Sequence, residues 1–280
     1  YLLPFDHRSS FAKTLLGFEY PVSSKSEAKK MTTLKRMIFS AARKARRKLG
    51  ERESVGILVE EEFGSGILRE ARLLGMTRAV TVEKSGRPLF EFQYGKAFVK
   101  HLEKYDPTFA KVLIRYDHSD KKANAIQNAR LKKISNFCKR HKIGFMLEVL
   151  LEGKGSRFAQ MKRMISSLEA EGVKPSVWKL EGLDQASQWR TIKELTKADL
   201  IILGRGKSKR EVEAWVHTAA KSGVVRGFAI GRTVFFPPLK AYLAKKLTRP
   251  QAIERIKENY LHFVRLFESH TPSHKTKNVG

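Results

Sequence analysis

Short apolar runs alternate along this chain with longer segments whose apolar residues recur every three or four positions. The runs are Tyr1 to Asp6, Val55 to Glu60, Ala79 to Glu83, Ala110 to Tyr116, Ile143 to Leu151, Ser176 to Gly182, Asp199 to Leu203 and Val224 to Gly231. Between them lie helical patterns, marked by Met31, Leu34, Ile38, Ala41, Ala45 and Leu49, by Ile126, Ile134, Phe137 and Cys138, and by Met161, Ile165 and Leu168. Further helical faces carry Ile67 with Leu74, Phe98 with Leu102, Trp189 with Ile192 and Leu195, and Val212 with Trp215 and Val216; a last helix follows Pro250. Strands that alternate with helices pair in parallel through right-handed crossovers, and eight such units are what a closed (β/α)8 barrel requires. An open doubly wound sheet would carry a G-x-G-x-x-G turn after its first strand, where this chain has Asp6-His7-Arg8-Ser9-Ser10. The pattern therefore predicts an α/β protein, a single (β/α)8 TIM barrel over residues 1–268, followed by a flexible basic tail over 269–280.

Composition narrows the class. Hydrophobic residues make up 41% and charged residues 30% of the 280, too apolar for a disordered chain. No apolar run approaches the roughly 18 residues of a membrane span. No signal peptide opens the sequence, and the single Cys138 forms no internal disulfide, so a reducing cytoplasm is the expected location. Because strand-like text begins at once after Tyr1, the chain reads as trimmed from something longer.

Fifty-six Lys and Arg against 28 Asp and Glu give a net charge of +28, which points toward polyanions. The segment Lys25 to Lys48 holds ten basic residues against Glu27 alone, including Arg43-Lys44-Ala45-Arg46-Arg47-Lys48. Its apolar stripe makes it a barrel-covering helix with a solvated basic face, and neither it nor Lys121 to Lys142 interleaves aromatics as a stacking platform does. Unspecific, salt-sensitive polyanion retention is the expectation, with specific RNA binding kept as an alternative.

In a barrel the chemistry sits at the carboxyl ends of the strands, so charges embedded in the apolar runs carry the most information. These are Asp6 and Arg8, Glu60 and Glu61, Glu83 and Lys84, Lys111 and Arg115, Glu148, Lys179 and Glu181, Arg205, and Arg232. Residues two apart on a strand share a face, which groups Lys179 and Glu181 with Val177, and Lys111 and Arg115 with Leu113. A lysine inside an apolar strand loses hydration, and a second ammonium nearby opposes its protonation; both favour the neutral amine that attacks a carbonyl. Glu148 on the intervening strand is the expected proton carrier. Glu60, Glu83, Lys84, Arg115 and Glu181 are read as supporting charges.

Phosphate capture is expected at Gly204-Arg205-Gly206 and Gly231-Arg232, the turns after the last two strands, where glycines admit close backbone approach and guanidinium groups grip oxygens. Of eight histidines only His7 and His118 stand at strand ends, too few for a three-histidine zinc site. A magnesium ion on Glu60 and Glu83 is the weaker alternative to a metal-free site.

The blocks LPFDHRSSF, GILVEEEFG, VEKSG, KVLIRYD, FMLEVLLE, VWKLEG, ILGRG and GFAIGRT, in this order, resemble the aldolase domain of inositol catabolism, found behind a sugar kinase in bifunctional 5-dehydro-2-deoxygluconokinase proteins and also alone. The likeness runs from Tyr1 to about Phe267. That domain is similar to the class I tagatose-bisphosphate aldolases, metal-free barrels with an iminium-forming lysine on the sixth strand. The resemblance implies that Lys179 is this lysine, that Lys111, Glu148 and Asp6 complete the catalytic set, and that Arg8 and the two Gly-Arg turns bind the substrate and its phosphate. It further implies a class I, cofactor-free lyase cleaving 2-deoxy-5-keto-gluconate 6-phosphate to dihydroxyacetone phosphate and malonate semialdehyde. A sugar kinase, fused upstream or separate, is the implied partner, and an oligomer is compatible with it. Ser9 stands where the family tends to have glycine, Glu60 where it tends to have aspartate, and Leu151 to Ser156 lacks a Val-Pro step. These departures leave a tagatose-type or sulfosugar phosphate as alternative substrates. The basic excess, which the resemblance does not imply, leaves room for a basic barrel binding RNA or another polyanion with reduced catalysis.

Overall fold

The computed structural model describes residues 1–50 and 55–272. Eight parallel strands close into a barrel in sequence order: β1 (Leu2–Pro4), β2 (Gly56–Val59), β3 (Thr77–Thr81), β4 (Phe109–Tyr116), β5 (Gly144–Leu151), β6 (Val177–Leu180), β7 (Asp199–Leu203) and β8 (Val225–Ala229). β8 pairs with β1 through Ala229 and Leu2, which closes the ring.

The helices are α1 (Ser9–Phe11), continued by a π-helical turn over Ala12–Leu16, α2 (Lys25–Lys48), α3 (Glu61–Leu73), α4 (Phe98–Tyr105), α5 (Lys121–His141), α6 (Arg157–Ala170), α7 (Ala186–Glu194), α8 (Lys209–Ser222), α9 (Arg232–Leu243) and α10 (Arg249–His270). Several begin where the sequence supplies a cap: Ser24 accepts from the Glu27 N–H, Asp120 from Ala123 and Ser208 from Glu211. Residues 269 and 270, read from sequence as the start of a frayed tail, belong to α10; residues 273–280 of that tail lie outside the described residues.

Alternation along the strands sorts the core into two layers. Outward residues such as Ala110, Val112 and Ile114 on β4 or Phe145, Leu147 and Val149 on β5 join the helices in one apolar cluster. Inside the barrel, Leu2, Leu58, Ala79, Met146, Val177, Ile201 and Ala229 form a second cluster with Phe109 packed against it, one residue from each strand. Two residues further along β3 to β6 come Thr81, Lys111, Glu148 and Lys179. The barrel is therefore plugged with hydrocarbon below and becomes polar at its carboxyl end.

The expected helix faces hold except at their ends. Leu74 and Leu195 are half exposed because they cap α3 and α7, and Ile126 is exposed on the first turns of α5, where Asn124, Gln127 and Asn128 take the buried side.

Candidate active site

At the carboxyl end of the strands lies a cavity of about 510 Å³. Of the residues singled out from sequence, Asp6, Arg8, Glu83, Lys84, Lys111, Arg115, Glu148, Lys179, Gly204, Arg205, Gly206, Gly231 and Arg232 all line it; Glu60, Glu61 and Glu181 do not, and Glu61 pairs with Lys104 and Tyr105 on α4.

Strand register assembles the centre. β5 sets Glu148 beside Lys179 of β6 and Leu113 of β4, while Lys111 pairs in register with Thr81 and Met146. Lys111 Nζ meets Asp6 Oδ2 at 2.9 Å, Glu83 Oε1 at 2.6 Å and Glu148 Oε2 at 2.9 Å. Lys179 Nζ donates to the same Glu148 Oε2 at 2.9 Å, and Thr81 Oγ1 donates to Asp6 Oδ2 at 2.8 Å. Arg8 donates to the Glu83 carbonyl at 2.5 Å and to Gln93 Oε1 at 3.0 Å, tying the end of β1 to the segment after β3. All five charged groups of the lysine cluster are buried.

Burial opposes every charge here, and proximity decides the outcome. Desolvation alone would lower the Lys111 pKa, yet Asp6, Glu148 and Glu83 together raise it well above the ordinary lysine value. Desolvation pushes Asp6 and Glu148 up, but Lys111 and Lys179 overcome it, holding Asp6 well below and Glu148 below the carboxylate range. Glu83 goes the other way: burial raises it, Lys111 only partly offsets that, and Asp6 raises it further. Its Oε2 is buried with no hydrogen-bond partner among the described residues. One ammonium thus stays charged beneath carboxylates of unequal proton affinity, an arrangement suited to moving a proton next to Lys179.

The cavity wall after β7 and β8 is cationic. Gly206 takes a left-handed φ of +73°, and a Cβ there would sit 2.8 Å from the Arg232 Cζ, so glycine lets the guanidinium lie against the turn. At Gly231 a Cβ would fall 2.2 Å from the Pro4 carbonyl oxygen, where β8 closes against β1. The two arginines differ: Arg205 pairs with the buried Glu181, which also pairs with Arg157, whereas Arg232 makes no hydrogen bond or ion pair among the described residues.

Glu60 turns out to be structural. Its Oε1 caps α3 through the Phe63 N–H at 3.3 Å, and its Oε2 meets the fully buried Lys35 of α2 at 2.8 Å. Glu83 is committed to Lys111 instead, so the two carboxylates serve different lysines rather than one magnesium ion. Among the described residues no group of three or more His, Cys, Asp and Glu is placed to hold a metal ion.

Sequence reasoning passed over Lys35, the cavity role of His7, and the segment Ser85-Gly86-Arg87. Lys35 stands four residues after Met31 and three before Ile38, in phase with the buried stripe of α2, and that phase is the signal for it. His7 lines the cavity; burial lowers its pKa to about 3, against the pull of Asp6, so its imidazole is neutral across the physiological range. Ser9 Oγ lies 2.8 Å from Ser85 Oγ, joining the turn after β1 to that after β3. Cys138 is buried on α5, and burial pushes its thiol up to about 12, which suits a packing residue.

Half of the ten basic residues of α2 have a side-chain partner among the described residues. Lys35 is internal, Arg36 and Arg43 both pair with Glu70, Lys44 reaches Glu254 at 3.5 Å, and Arg46 donates to the Leu74 carbonyl. No helix among the described residues is long and apolar enough to cross a membrane.

The family model described as "Uncharacterized protein conserved in bacteria (DUF2090)" matches residues 1–271. The chain belongs to this family. DUF2090 thereby includes a closed, all-parallel eight-stranded barrel with a lysine–carboxylate centre at its carboxyl end. No curated protein matches the chain significantly. Among solved structures it is similar to Cgl0159 from Corynebacterium glutamicum (Brevibacterium flavum), with a TM-score of 0.61 and 17% identity over 96% of this chain and 85% of that one. That likeness carries the barrel fold. A TIM barrel of this kind is compatible with an aldolase-type enzyme.

Proposed function

We propose that this DUF2090 chain is a class I aldolase that cleaves 2-deoxy-5-keto-gluconate 6-phosphate into dihydroxyacetone phosphate and malonate semialdehyde through a Schiff base on Lys179. The observation that carries the reading is the position of Lys179: buried on the inner wall of the barrel, hydrogen-bonded to Glu148 at 2.9 Å and lining the cavity, while the neighbouring Lys111 is engaged by three carboxylates.

In this scheme Glu148 takes a proton from the Lys179 ammonium, and the amine adds to the substrate ketone. Glu148 returns that proton to the carbinolamine hydroxyl, which leaves as water and gives an iminium, and the carboxylate is regenerated. Glu148, assisted by Asp6, removes the proton from the hydroxyl on the carbon beta to the iminium. The intervening carbon–carbon bond then breaks, its electron pair passes into the iminium to give an enamine, and the aldehyde departs. Protonation of the enamine and hydrolysis release dihydroxyacetone phosphate and the free lysine. Arg232 and the glycine turns at 204–206 and 231 hold the phosphate, and the cationic chain steers anionic substrates inward. The buried, high-pKa Cys138 accords with a reducing, cytoplasmic setting.

Product analysis on a panel tests the assignment: 2-deoxy-5-keto-gluconate 6-phosphate, a tagatose-type bisphosphate and a sulfosugar phosphate, each with chelator present. Malonate semialdehyde appearing with dihydroxyacetone phosphate is the expected result. Cleavage of another panel member alone reassigns the substrate, and turnover of none removes the aldolase reading.

A further inference from the structure

A second cavity of about 650 Å³ lies outside the barrel, between the turn after β7, helix α9 and helix α10; no strand residue lines it. Its floor is apolar, made by Phe236, Pro237, Pro238, Leu247 and Phe263. Its rim carries Lys207, Lys209, Arg232 and Arg255, and no carboxylate lines it among the described residues. Lys207 and Lys209 have carboxylate partners at 3.0 Å and 3.7 Å. The guanidinium groups of Arg232 and Arg255 make no hydrogen bond or ion pair among the described residues. Two guanidinium groups left unneutralised at the mouth of one cavity favour an anion with several oxygens. The ring-lined floor favours a flat apolar body behind it.

The polar details fit such a ligand. Pro237 has no N–H to offer the Thr233 carbonyl four residues back, and Asn259 Nδ2 fills the equivalent gap at the Val234 carbonyl at 2.9 Å. The Thr233 carbonyl therefore receives no backbone hydrogen bond from four residues on. Gly206, Arg232 and Thr233 line both this cavity and the active site, so the two stand back to back across one arginine.

We infer that this second cavity is a binding site for a phosphomonoester carried on a flat apolar body, with Arg255 and Arg232 holding the phosphate and the Phe236–Phe263 floor holding the body. The site shares Arg232 with the proposed phosphate grip of the active site, has Arg255 as its own anchor, and takes no part in the catalytic step itself. Calorimetric titration of the full chain with 1-naphthyl phosphate tests it, with adenosine monophosphate, 1-naphthol and inorganic phosphate run in parallel. Naphthyl phosphate is expected to bind more tightly than either naphthol or phosphate. In Arg255→Ala that binding weakens by about tenfold or more, as loss of a charge-assisted hydrogen bond implies. Borohydride labelling by dihydroxyacetone phosphate, which depends on the other cavity, stays unchanged in this variant. Adenosine monophosphate matching naphthyl phosphate makes a nucleotide the source of the phosphate; its failure to bind leaves a smaller aryl ester as the ligand class. Unaltered naphthyl phosphate binding in Arg255→Ala, or no binding by the wild-type chain, overturns the inference.

Discussion

Lys35 and Lys179 are both buried beside a glutamate, yet they spend their N–H groups differently. Lys35 gives its three donors to the Phe5 carbonyl at 2.7 Å, the His7 carbonyl at 2.9 Å and Glu60 at 2.8 Å, and it is sealed behind β1 and β2. Lys179 gives one hydrogen bond to Glu148, which is shared with Lys111, and its side chain lines the cavity. A buried ion pair with every donor satisfied fixes structure, here the backbone on either side of Asp6. One with donors left over can accept a substrate. Each contains a buried lysine–glutamate pair; saturation of the lysine separates scaffold from site.

The largest effect is expected where the closed cluster is broken. Lys35→Met strands Glu60 without its cation and should lower the unfolding free energy by about 3–5 kcal/mol in urea denaturation. Adding Glu60→Leu should restore part of it, since removing both charges costs less than leaving one. Loss of stability no greater than that of an exposed lysine would erase the distinction between the clusters.

Glu148→Gln strikes the open cluster. Cleavage should fall by about 100-fold or more, the usual contribution of a positioned general acid–base group, while the stability change stays smaller than for Lys35→Met. Equal activity in the variant would assign proton transfer elsewhere, with Asp6 and Glu83 the neighbours to change next.

The arginines repeat the contrast on the phosphate side. Arg232→Ala should raise the concentration of dihydroxyacetone phosphate needed for half-maximal labelling by about tenfold, whereas Arg205→Ala, whose guanidinium is held by Glu181, should act mainly on thermal stability. The reverse pattern would exchange their roles.

A smaller effect concerns His7. Its folded-state pKa of about 3 lies below the unfolded value of 6.5, so as pH falls through this window the unfolded chain takes up the proton first. Stability contributed by the neutral imidazole is present above about pH 6.5 and declines toward pH 3. His7→Gln should therefore lose less unfolding free energy between neutral and mildly acidic buffer than the wild type; equal slopes would mean that His7 titrates normally.

The open cluster was legible in the sequence, the closed one was not, and what was missed has a physical reason. Apolar runs with embedded charges at fixed parity place Lys111, Glu148 and Lys179 on the inner wall, because a strand commits alternate side chains to opposite faces. Helices are less informative at their ends, which is why Leu74, Leu195 and Ile126 were assigned to the core and are not buried. Glu60 and Glu83 looked alike as strand-end glutamates. Only the crossing of α2 behind β1 and β2 gives one of them Lys35 as partner, and such long-range partners leave no local mark. Arg205 and Arg232 were equally indistinguishable, since Glu181, which holds Arg205, lies 24 residues earlier.

The most direct test is borohydride reduction of the full chain with dihydroxyacetone phosphate and chelator, followed by peptide mass mapping. A stable adduct on the peptide containing Lys179, absent without borohydride and absent in Lys179→Ala, is the predicted result. An adduct on Lys111 or Lys84 instead, or none on any lysine, would contradict the account.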